Sequence, residues 1–177
     1  MNKQIEDQLQ RIDTQLNKLL TDLQQYPADQ LQRKTTPTTW SVIQVLQHMV
    51  LVENVSQQYV KKKLSFNPTL KDANFLTALR VRVARFYNLV PIKFKAPKYV
   101  DETNFSSNVL LTDIVTQWQN QRLQLRAYLA TLPEDIFQKE VYKNPIAGRL
   151  SLYGMLQFFE GHFERHEKQV QKLLKGL

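Results

Sequence analysis

Three histidines are the whole imidazole complement of this 177-residue chain, and their spacing points to one use. His162 and His166 are four residues apart, so a helix stacks them one turn apart on a single face. That face is apolar, because Met155, Phe159, His162, Phe163, His166 and Val170 form one stripe. His48 falls between Val45 and Val52 on the inward side of another segment. Buried imidazoles without partners are costly, so each needs a hydrogen-bond partner or an ion. One divalent ion serves all three: the i, i+4 pair gives an edge of a coordination polyhedron, and a ligand from a facing helix closes a face. Three protein ligands leave a position for water or substrate, as in catalytic zinc sites. Zinc suits an all-imidazole set, and nickel, iron, manganese and copper accept the same ligands. The competing reading, three core histidines bonded to carbonyls or waters, explains a lone histidine better than this constellation.

Composition narrows the chemistry further. There are no cysteines, which excludes disulfides, thiolate metal sites and a cysteine nucleophile. With only 4 glycines, the chain has no P-loop or dinucleotide-type glycine motif. The polar N-terminus carries no signal-peptide core and no apolar run is long enough to span a bilayer, so a cytoplasmic protein without membrane partners is expected. The net charge of +8 leaves anionic partners open. Lys61, Lys62 and Lys63 with Arg80, Arg82 and Arg85 read as a solvated face, the alternatives being steering of an acidic ligand or phosphate binding. Base-stacking aromatics and a groove-reading helix are not evident, so nucleic acid is not the expected partner.

Helical segments are expected to carry all three histidines. Apolar periodicity predicts five helical segments in one domain over residues 1–177. The first runs from Asn2 to Gln25 and ends at Tyr26-Pro27. The second starts at the Ser41 cap, with Gln44 completing a capping box and Trp40 stapling onto Val45, and ends near Lys61-Lys62-Lys63. The third covers Leu70 to Val90, with Phe75, Leu79, Val83, Phe86 and Val90 on one side. Residues 91–110 read as an irregular connection. The fourth begins at a Thr112 cap and stops before Pro133, and the fifth opens at Ser151 after the turn-like Asn144–Gly148. An all-α four-helix bundle with an additional helix inserted in the middle is the expected architecture. Met49, Trp118 and Phe159 are expected in its core. Supporting polar groups are few. Gln44 shares the face of His48 one turn away, and Glu53 lies about 140° around the helix from it.

The chain resembles the DinB/YfiT-like family of metalloenzymes in two stretches. One is Trp40-Ser41-Val42-Ile43-Gln44-Val45-Leu46-Gln47-His48. The other runs from Gly148-Arg149-Leu150-Ser151-Leu152 to Gly161-His162-Phe163-Glu164-Arg165-His166. Helix order and length agree along most of the chain, and the match weakens from about residue 64 to 110. The resemblance implies a variant up-and-down bundle, a divalent metal held by His48, His162 and His166, and a homodimer. Some relatives are transferases or isomerases that use a low-molecular-weight thiol. Metal-bound thiolate would attack a small electrophile; metal-bound water would instead give a hydrolase. A metal-binding stress or interaction protein without turnover is the alternative from another class.

Overall fold

Inward positions three and four apart (Ile5, Leu9, Ile12, Leu16, Leu19 and Leu23) are all buried, and they define α1, Lys3–Leu23. The computed structural model describes residues 3–89 and 96–176, so Asn2, Val90 and Pro91 of the expected segments lie outside the described residues. After Pro27 comes a short α2, Ala28–Gln32, whose single inward apolar residue, Leu31, is too little periodicity to announce a helix. Helix α3, Val42–Ser65, starts with the capping box its sequence predicts: Ser41 Oγ accepts from the Gln44 N–H at 3.2 Å, and Gln44 Oε1 accepts from the Ser41 N–H at 3.0 Å.

The next helix, α4, spans Phe75–Leu89 and starts five residues later than its periodicity suggests. Asp72 is taken up in a β-bridge with Lys139, and Asn74 Oδ1 then caps the Thr77 N–H at 3.1 Å. Helix α5 is Leu111–Ala130. Thr112 is not its cap; the Asp113 carboxylate accepts the Leu110 N–H at 2.9 Å, and Thr112 lies within the first turn. The turn-like Asn144–Gly148 joins a two-stranded hairpin, β1 (Tyr142–Asn144) and β2 (Gly148–Leu150). Asn144 Oδ1 accepts the N–H groups of Ile146 and Ala147, and Gly148 turns at φ +82°, a conformation that favours glycine. Ser151 Oγ then caps α6, Leu152–Lys175.

Helices α1, α3, α5 and α6 form the bundle, α1 and α3 each touching both α5 and α6. Its apolar interior is two clusters. One is centred on Ile5, Leu9, Leu129, Met155 and Phe159, the other on Leu20, Leu46, Met49, Trp118 and Phe163. Between them lies a charged layer. Arg122 donates to both oxygens of Glu53 at 2.6 Å and to Asp13 at 3.1 Å, and Trp118 Nε1 donates to Glu53 at 3.1 Å. The inserted α4 packs on α6 and the hairpin. A Cβ on Gly154 would meet Val81 at 2.9 Å, so this glycine sets how closely the two helices approach. The apolar side of α4 faces away from that contact: Phe75 is 77% exposed and Phe86 67%, with Leu76, Leu79 and Val83 also open.

Candidate metal centre

His48 sits two turns into α3, and His162 and His166 lie on consecutive turns of α6, which packs against α3. The capped starts at Ser41 and Ser151 fix the phase of both helices, and that phase turns all three rings to the shared seam. One ligand atom from each ring lies within 4.8 Å of the others, and the His162 and His166 Nε2 atoms stand 3.1 Å apart. His48 and His166 are buried, while His162 is partly open to solvent.

The outer ring nitrogens have their own partners. His48 Nδ1 bonds the Val100 carbonyl at 2.8 Å, and His166 Nδ1 bonds Gln169 Oε1 at 2.8 Å. Both oxygens only accept, so both Nδ1 atoms carry the proton. A neutral ring with Nδ1–H presents its Nε2 lone pair inward, which is the orientation a metal ligand needs. Charge is suppressed here as well. Burial lowers the His48 pKa, opposed by the Val100 bond. Burial, then the neighbouring imidazoles, holds His162 well below its usual range, and burial pushes His166 down to about 3. Near neutral pH all three rings are uncharged bases.

The donor set fits a divalent ion. Two nitrogens ~2.0–2.1 Å from one tetrahedral ion stand roughly 3.3 Å apart, close to the separation of the His162 and His166 nitrogens. Among the described residues no carboxylate joins the cluster. Trp40 lies 5.1 Å from the His48 ring, Phe105 packs edge-on to Trp40, and Phe158 lies 5.4 Å from His162. Aromatic rings therefore flank the centre, while Met49, Trp118 and Phe159 are core residues.

The two candidate supporting groups are committed elsewhere. Glu53 belongs to the Arg122 layer, and the side-chain oxygen of Gln44 is held by the Ser41 cap. The groups behind the histidine rings are instead Val100 and Gln169. Val100 lies in the segment that reads as an irregular connection, and that segment is strapped onto α3. Gln47 both donates to the Ser106 carbonyl and accepts from its N–H, and Trp40 Nε1 donates to Glu102 at 3.1 Å. A backbone carbonyl leaves no mark in a sequence. Gln169, three residues after His166, is the one signal that helical spacing offers.

The family model described as the DinB superfamily matches residues 8–170. The chain is also similar to the uncharacterised protein YuaE of Bacillus subtilis (strain 168), 25% identical over 146 residues, covering 82% of this chain and 83% of that protein. No solved structure gives a significant match.

Proposed function

The chain belongs to the DinB superfamily, and from that premise we propose that His48, His162 and His166 hold a divalent metal, zinc or nickel, in a transferase that activates a low-molecular-weight thiol. The observation that carries this reading is the convergence of the three rings, one nitrogen of each within 4.8 Å of the others, while His48 Nδ1 bonds the Val100 carbonyl and His166 Nδ1 bonds Gln169 Oε1. A divalent ion there supplies Lewis acidity, lowering the pKa of a coordinated thiol or water. The three imidazoles are neutral ligands, so they leave the ion's positive charge to stabilise a bound anion. Val100 and Gln169 keep the rings from rotating. Trp40, Phe105 and Phe158 give the mouth an apolar lining that suits a small organic electrophile. The chain has no cysteine, so the sulfur comes from a co-substrate.

The same reading places the protein in the cytoplasm, where such thiols are abundant; among the described residues no helix is long and apolar enough to cross a membrane. It also includes a homodimer. Leu76, Leu79, Val83 and Phe86 follow the three-four-three spacing of a helix-pairing seam on the exposed side of α4, which a second copy would cover.

Titration of cobalt-loaded protein with glutathione, cysteine or bacillithiol tests the thiol step. A sulfur-to-cobalt charge-transfer band, absent from a His48→Ala variant, is the expected result. An unchanged cobalt spectrum with every thiol, alongside ester hydrolysis by the same protein, would replace the transferase reading with a hydrolytic one.

A further inference from the structure

A cavity of about 490 Å³ opens at the other end of α3, lined by Lys63, Lys71, Arg80, Arg149 and Glu140 together with Thr69, Leu70 and Gly148. Fifteen residues of α3 separate His48 from Lys63, ~22 Å of helix, so this cavity is not the histidine centre. Its charge is lopsided, with four cations against one carboxylate. That carboxylate is already engaged: Glu140 Oε1 accepts from the Thr77 hydroxyl and from Arg80 Nη1 at 3.2 Å, which orients the guanidinium. Lys63, Lys71 and Arg149 have no acidic partner among the described residues.

The walls are fixed by backbone bonds. The Glu140 N–H donates to the Lys71 carbonyl at 2.8 Å, and the Ala73 N–H donates to the Gln138 carbonyl at 2.7 Å. Across the hairpin Arg149 stands directly opposite Lys143, a like-charge pairing that weakens a sheet. A merely solvated basic face would spread these charges, whereas here they converge on one concavity from α3, α4, the 69–71 segment and β2.

We propose that this cavity binds a phosphomonoester, a small phosphorylated compound whose dianion meets Arg149, Arg80, Lys71 and Lys63. A single carboxylate would leave most of the surplus charge unmatched. A phosphate offers three acceptor oxygens and up to two negative charges, matching the Arg149 fork and two ammonium groups beside the Glu140-oriented Arg80. The volume lies in the range of small-molecule sites. This assignment is independent of the metal reading, because no histidine takes part in it.

Calorimetric titration at low salt with phenyl phosphate and with inorganic phosphate tests it, using wild type, Arg149→Gln, Lys71→Gln and His48→Ala. Both glutamine replacements are at exposed positions, so the fold survives them. Saturable one-to-one binding of phenyl phosphate is expected, about tenfold or more weaker in each glutamine variant and unchanged in His48→Ala. No saturable binding, equal binding by Arg149→Gln, or loss in His48→Ala would each overturn the proposal. A short DNA duplex that binds more tightly than phenyl phosphate, through Arg149 and with a steep salt dependence, would assign the cations to a nucleic-acid surface instead.

Discussion

Replacing Arg122 with methionine removes the cation from the layer between the two apolar clusters while keeping an extended side chain. Among the described residues Glu53, 3% exposed, would keep only the Trp118 N–H as a hydrogen-bond partner, whereas Asp13 would retain its 2.9 Å bond to Arg126. Removing one member of a buried ion pair costs ~3–5 kcal/mol, most of it the penalty of the charge left behind. For a chain of this size that loss corresponds to a fall in Tm of roughly 6–20 °C, at about 2–4 °C per kcal/mol. Urea titration of wild type, Arg122→Met and the double variant Glu53→Met/Arg122→Met measures it. The double variant is expected to regain much of the loss, because two apolar side chains then fill the layer without an orphaned charge. Metal content is expected to stay unchanged in Glu53→Gln, since Glu53 is committed to Arg122 and Trp118. A loss below about 1 kcal/mol in Arg122→Met, or metal lost from Glu53→Gln, would refute this assignment of the layer.

Chelator-treated protein is expected to lose stability as pH falls below 6.5, the ordinary histidine value. Each depressed histidine is protonated in the unfolded chain first, so the unfolded state binds more protons, and for His166 the loss approaches about 1.4 kcal/mol per pH unit. For His166 that window extends down to about 3, and urea midpoints between pH 7 and 4.5 would show a shallower fall in His166→Asn than in wild type. Gln169→Leu removes the acceptor that holds the His166 tautomer, and competition with a chelating dye should read metal affinity lowered by ~10–100-fold with the fold intact. Leu79→Glu/Phe86→Glu places charge on the exposed seam of α4; if that seam joins the proposed homodimer, light scattering is expected to find two copies in wild type and one in the variant, with an unchanged helical spectrum.

What the sequence displays is local. Ser41 with Gln44 and Ser151 mark two helix starts because a cap and its partner lie within one turn. The inward phase of His48, His162 and His166 follows from the same short-range periodicity. The outward apolar side of α4 was not legible, because periodicity says where a helix is apolar but not whether another element covers it. The partner of Glu53 lies 69 residues away in Arg122, and the residue behind His48 is a backbone carbonyl 52 residues on. Lys63, Lys71, Arg80 and Arg149 likewise meet only once α4 and the hairpin are in place. Contacts of that range depend on helix packing, and single-segment patterns do not encode it.

Three histidines from two helices are proposed to form a metal site. Elemental analysis of protein purified without a histidine tag, beside His48→Ala and His162→Ala/His166→Ala, is the decisive experiment. About one divalent ion per chain is expected in wild type, with loss of that ion in both variants, each still helical. A wild-type protein that neither carries a metal nor takes one up on reconstitution would contradict that proposal.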